Sequence, residues 1–143
     1  MSIGRLDTLG RVRLSQNFWM REFLYSEVAN LHGIPNIPDD PDLAIEAGTR
    51  LCTELLEPLH RSFGKVLIRS AYRSSTVNGF CNEQMRLKKA GYTCAANERN
   101  YADHIWDRRD AAGNMGATAC IVIPWFADRF ENGEWQRLAW WVH

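Results

Sequence analysis

The chain has 143 residues, one domain's worth, and a domain of this size buries roughly two-thirds of the surface its unfolded chain exposes. Its 17 Lys+Arg balance its 17 Asp+Glu, which argues against nucleic acid as a partner and against a charged tail. With 45% hydrophobic and 24% charged residues it has the make-up of an ordinary globular domain, and no apolar run approaches the ~20 residues that span a bilayer.

Residues 1–12 lack the apolar core of a signal peptide, so the chain is expected to be soluble and cytoplasmic at synthesis, with no membrane partner. Residues 1–14 show no clear period and read as an arm or an early strand. In 18–31, Phe18, Phe23, Leu24, Val28 and Leu31 fit helical spacing in two short pieces, with Ser26 as an N-cap and Gly33 as a stop. Residues 34–41 hold three prolines and form a loop. The strongest helix runs from about 41 to 63. Asp40 caps it and Pro41 suits its first position. Leu43, Ala47, Leu51, Leu55 and Leu59 recur every four residues, and Cys52, Leu56 and Phe63 widen the stripe to a core-facing band. Pro58 inside this pattern predicts a kink or break near 55–57, and Gly64 ends the helix.

Residues 65–72 are β-branched and aliphatic and read as a strand. Ser74, Ser75 and Thr76 offer caps for a short helix to about Gln84. Residues 85–103 are polar and ambiguous, and 105–115 form a loop rich in Asp, Gly and Asn. Residues 116–123 predict a second strand stopped by Pro124. A helical turn is expected over 125–130, and a third strand over 139–143. Helices followed by a small, mainly antiparallel sheet make the fold class α+β. The whole chain, 1–143, reads as one domain. Its abrupt aromatic end at His143 suggests that the natural chain continues.

Cys52, Cys81, Cys94 and Cys120 are sparse and lack paired spacing, so no disulfide framework is expected. Cys52 lies on the helical stripe as a small core residue. A metal site of Cys81, Cys94 and His104 is one alternative, against the usual preference for close-spaced pairs.

From about Phe18 onward the order of motifs resembles peptidase M15, the zinc peptidases of the D-Ala-D-Ala carboxypeptidase kind that act on bacterial cell walls. Ile68-Arg69-Ser70-Ala71-Tyr72-Arg73-Ser74, with Asn78 after it, is similar to the Ser-Gly-Tyr-Arg-Ser … Asn signature of the phage and bacterial branch, with Ala71 in place of the Gly. The family's Ser-x-His-x-x-Gly-x-Ala-x-Asp motif is approached by Ala102-Asp103-His104 and by Gly116-Ala117-Thr118-Ala119-Cys120. The Ser is Ala102, the Asp is Cys120, and eleven residues replace two between the halves. Trp141-Val142-His143 resembles the Trp-x-His that carries the last ligand. The family's catalytic acid precedes that His, where this chain has Leu138, Ala139, Trp140 and Trp141; Glu134 is the nearest carboxylate.

The resemblance implies a fold like that of hedgehog and DD-peptidases. It implies one zinc ion held by His104, Cys120 and His143, with Arg73 catalytic and Tyr72 and Ser74 binding substrate. A catalytic zinc takes three protein ligands and keeps a place for water, and a thiolate binds zinc at ~2.3 Å. Arg73 would grip a peptide carboxylate or a developing oxyanion by paired hydrogen bonds. Each of these residues also has a plain structural reading. His104 can anchor a loop and His143 can end a loose tail. Cys120 can be a buried strand thiol among Ile121, Val122 and Ile123. Arg73 can pair with Asp103 or Glu98 at a strand end. Asp103, Asp107 and Asp110 can replace a missing oxygen ligand or form a solvated turn. Trp106, Trp125, Trp135, Trp140 and Trp141 can pack core and rim or stack on sugars.

Two functions follow. One is a zinc-dependent peptidase acting on the peptide stems of murein, delivered to the wall within a virion or by a lysis system. The other is a catalytically inactive M15-like module, structural or glycan-binding, within a phage tail or similar assembly. The changed ligand, the missing acid and the lack of an export signal speak for the second and put activity in doubt, while the peptidase stands as the family-level function.

Overall fold

The N-terminal residues fold as a helix, not as the arm or strand expected. In the computed structural model, which describes residues 2–130 and 134–143, α1 spans Ile3–Gly10. Ser2 caps it, its Oγ accepting from Arg5 N at 3.3 Å. Only Leu9 and Gly10 of this helix are buried, so it carries too short an apolar stripe to register as a period. Two short helices follow, α2 (Met20–Phe23) and α3 (Glu27–His32), in the two pieces expected. Ser26 Oγ accepts from Ala29 N, and Gly33 at φ 64° supplies the left-handed residue that ends α3.

α4 (Pro41–Leu51) starts at Asp40, whose Oδ1 accepts from Leu43 N at 3.1 Å. The expected kink takes the form of a π-helical turn, Cys52–Leu56, that leads directly into α5 (Glu57–Phe63). Pro58 has no N–H to give to the preceding turn and its ring crowds that turn's carbonyls. A wider turn just before it relieves the crowding without breaking the helix. The stripe of α4 and α5 therefore stays on the core, where Ala44, Ala47, Cys52, Leu56 and Leu59 are all at most 2% exposed.

Glu57 is buried on this same face and organises the chain before α2. Its Oε1 accepts from Ser15 Oγ and Asn17 N, both at 2.7 Å, and its Oε2 accepts from Asn17 Nδ2 at 2.8 Å. Burial raises the Glu57 pKa, but these hydrogen bonds outweigh it and the carboxyl sits below its usual value. A depressed carboxyl stabilises the fold above the unfolded pKa of about 4.3 and loses that contribution as pH falls through the folded value. The urea midpoint is thus expected to drop as pH is lowered from about 5 to about 3, and Glu57→Gln should flatten the dependence. An unchanged slope in the variant would remove Glu57 as its source.

β1 (Leu67–Ser70) and β2 (Cys120–Val122) pair antiparallel, with Leu67 opposite Val122, Ile68 opposite Ile121 and Ser70 opposite Cys120. Both are shorter than the strands expected over 65–72 and 116–123. Between them lies α6 (Ser75–Arg86), capped by Ser74 Oγ accepting from Val77 N at 3.1 Å. A single 3₁₀ turn, Asn97–Arg99, follows. The core is centred on Trp106, which is fully buried, with its ring 5.4 Å from Phe23 and 6.1 Å from Tyr72. Its Nε1 donates to Thr118 O at 3.2 Å. Gly48 lets α4 approach, since a Cβ there would lie 2.8 Å from the Trp106 ring.

Beyond β2 come α7 (Pro124–Ala127) and α8 (Trp135–Val142). The third strand expected over 139–143 is therefore a helix. Trp141 packs on Phe63 at 4.8 Å between ring centroids and Leu138 faces the core, a spacing of three that a strand would place on opposite faces. Aromatic composition had suggested a strand; the period fits a helix. The architecture is α+β, helices packed against a small antiparallel sheet. Among the described residues no helix is long and apolar enough to cross a membrane.

Cys81 and Cys94 form a disulfide, which overturns the expectation of four unpaired cysteines. The chain reverses after α6 through Lys88 (φ 58°) and Gly91 (φ 88°) and brings the two Cα atoms to 5.6 Å.

Candidate functional site

A cleft of about 600 Å³ opens where β1 ends, and Arg73, His104 and Cys120 all line it. The turn that delivers Arg73 is held from several sides. Tyr72 N donates to Phe23 O at 3.2 Å, and Arg73 N to His104 O at 2.8 Å. Asn36 Oδ1 accepts from Ser74 N at 2.7 Å, while its Nδ2 donates to Leu24 O and Tyr72 O, each at 3.0 Å. With its backbone fixed, Arg73 extends into the cleft. Its Nη1 donates to Cys94 Sγ at 2.7 Å and its Nη2 reaches Asn100 Oδ1 at 3.5 Å. Its Nε is buried and has no hydrogen-bond partner among the described residues. Burial lowers the Arg73 pKa, against an upward pull from Asp103 and Cys120. A desolvated guanidinium with an unused donor gains most by meeting an anion.

His104 Nδ1 lies 3.0 Å from Ala71 O. A carbonyl only accepts, so Nδ1 carries the proton and Nε2 is left as the lone-pair nitrogen. Cys120, at the start of β2, is a free and exposed thiol, not the buried strand thiol of the alternative reading. The two halves that carry these residues meet through backbone. Thr118 N donates to Asp103 O at 3.0 Å, and Gly116 packs so closely on Ala102 that a Cβ would lie 2.1 Å from the Ala102 carbonyl oxygen. Ala102 itself adopts φ 56°, a left-handed conformation uncommon for a residue with a Cβ.

His143 lies elsewhere. It ends α8 and lines a shallow surface depression with Trp135, Gln136 and Trp140. The cleft thus unites two of the three ligands the resemblance implies. Among the described residues, no three His, Cys, Asp or Glu side chains are grouped to hold a metal ion. The Cys81–Cys94–His104 alternative fails in this state because the two sulfurs are bonded to each other. Arg73 is not ion-paired with Asp103 or Glu98; its contacts are Cys94 and Asn100.

Tyr72 and Ser74, read as substrate contacts, have side chains engaged in the fold. The Tyr72 ring is fully buried and its hydroxyl donates to Asp107 Oδ1 at 3.2 Å, while Ser74 caps α6. Asp107 is a core residue, also accepting from Asp39 N at 2.7 Å. Asp110 accepts from Asn114 and Ala112 within its own exposed turn, and the Asn114 hydrogen bonds lower its pKa. Of the tryptophans, Trp106 is core, whereas Trp125, Trp135, Trp140 and Trp141 are exposed.

Sequence reasoning missed Glu27 and Asn100, which also line the cleft. Glu27 follows the cap Ser26 and reads locally as an acidic first-turn residue, a sufficient role by itself. A second cleft of about 620 Å³, between α1 and residues 34–37, is mainly apolar, and its Asp7 and Arg21 are bonded to each other at 2.7 Å. Arg73, His104 and the free thiol of Cys120 all line the first cleft, which makes it the candidate site. No family model, curated protein or solved structure matches the chain.

Proposed function

We propose that this cleft binds peptide stems of bacterial murein through a terminal carboxylate, as an M15-like module with a fold of the hedgehog/DD-peptidase kind. The supporting observation is the Arg73 guanidinium, fixed by its backbone, with a buried and unpartnered Nε, beside His104 and Cys120. A zinc ion fits the cleft only in part: His104 Nε2 and Cys120 Sγ suit it chemically, but the third ligand, His143, lies on another surface. Peptide binding is the activity that the cleft's own residues can perform.

Calorimetry with a murein stem peptide and its C-terminally amidated form tests this. A charge-assisted pair is worth about 1.5–3 kcal/mol, so the free acid should bind about 10–150-fold more tightly than the amide, and Arg73→Ala should erase the difference. Equal binding of acid and amide by the parent protein would sink the reading. The zinc peptidase is the second reading, favoured by the meeting of His104 and Cys120 in one cleft despite the long loop between them. Elemental analysis addresses it: about one zinc per chain, lost in Cys120→Ser, would make Cys120 a ligand and the enzyme the better description.

A further inference from the structure

We propose that the Cys81–Cys94 disulfide is a thiol–disulfide exchange site, cleaved in the native fold by a dithiol reductant that enters the cleft. Both cysteines are nearly buried, 3% and 7% exposed, and both contribute to the cleft wall, so the cleft is the side from which a reductant reaches the bond. The Arg73 Nη1 that donates to Cys94 Sγ carries a positive charge, and such a donor suits a thiolate better than a neutral disulfide sulfur.

The loop is also anchored by hydrogen bonds. Asn78 Nδ2 donates to Ala95 O at 3.1 Å, Asn82 Nδ2 to Cys94 O at 2.9 Å, and Asn100 Nδ2 to Ala96 O at 3.0 Å. Asn78 and Asn82 tie residues 94–95 to α6, and Asn100 ties Ala96 to the chain just beyond the 3₁₀ turn, so the loop has anchors besides the sulfurs.

The placement of Arg73 sets the direction of attack. A thiolate of the reductant bonds to Cys81 Sγ, the S–S bond breaks, and its electron pair leaves on Cys94, where Arg73 meets the new charge. The second thiol of the reductant, after losing its proton to solvent, attacks the mixed disulfide. That closes the reductant's own disulfide and releases Cys81, which takes up a proton. The dithiol loses two electrons and the protein gains two. A leaving thiol of lowered pKa departs faster, so the Arg73 contact favours breaking the bond toward Cys94.

The test uses the full oxidised chain under native conditions. Brief exposure to glutathione, an acid quench and peptide mapping by mass spectrometry should find the adduct on Cys81. Reduction by dithiothreitol should proceed with the fold retained by circular dichroism, and Arg73→Met should slow it about tenfold. An adduct mainly on Cys94, an equal rate in Arg73→Met, or reduction only in denaturant would each overturn the proposal. Should Arg73→Met not fold, the position of the adduct in the parent protein decides alone.

Discussion

Gly116→Ala is expected to lower the melting temperature by roughly 10 °C, through about 3 kcal/mol of lost stability. The new Cβ would lie 2.1 Å from the Ala102 carbonyl oxygen and 3.0 Å from its carbonyl carbon. Backbone atoms cannot swing aside as a long side chain can. Relief requires residues 115–118 to separate from residues 102–104, which strains the Thr118–Asp103 hydrogen bond and draws Cys120 away from His104. Gly4→Ala is the control. Its Cβ would meet only Ser2 Oγ at 4.0 Å, within a helix where Ala is the better residue, so the melting temperature should hold or rise. A Gly116→Ala protein that melts with its parent would show that the two segments do not approach so closely.

Asp107→Ala is expected to cost about 3–5 kcal/mol, a large part of the stability of an ordinary domain. The carboxylate is 2% exposed and serves three donors: Asp39 N at 2.7 Å, Asp40 N at 3.3 Å and Tyr72 Oη at 3.2 Å. Alanine leaves the donors without their acceptor and opens a void beside the Tyr72 hydroxyl. The damage spreads because Asp40 is the cap of α4 and Tyr72 precedes Arg73. Asp107→Asn keeps the volume and one acceptor oxygen and should lose less. Tyr72→Phe removes one of the donors, so combined with Asp107→Ala it should cost less than the sum of the two. Urea unfolding of this set is the measurement. A loss below about 1 kcal/mol in Asp107→Ala would contradict the role assigned to the carboxylate.

Local signals in the sequence were reliable where one residue type answers one backbone need. Ser26 and Asp40 cap the helices they were read to cap, Ser74 is the one of three offered caps that starts α6, and Gly33 and Gly64 end their helices. Pro58 pointed to a distortion and could not say that a π turn would absorb it. The Cys81–Cys94 bond was hidden because a sequence separation of 13 matches no compact motif until Lys88 and Gly91 turn the chain back. Glu27 escaped notice because its first-turn position already accounts for it, and Asn100 because it lies in the polar segment 85–103, which shows no period. Arg73, His104 and Cys120, well separated in sequence, line one cleft. His143 failed to join them because the residues before it repeat with a helical rather than a strand period.

The pairing of β1 with β2 also bears on how quickly this site comes into being. Everything between Ser70 and Cys120 must be gathered before the two strands can meet, whereas α4, the π turn and α5 form from neighbours along the chain. Closing so long a loop requires entropy to be surrendered before the contacts that reward it exist. The helical half can therefore condense early, whereas the cleft, walled largely by that loop and closed by Cys120, needs the slower long-range pairing.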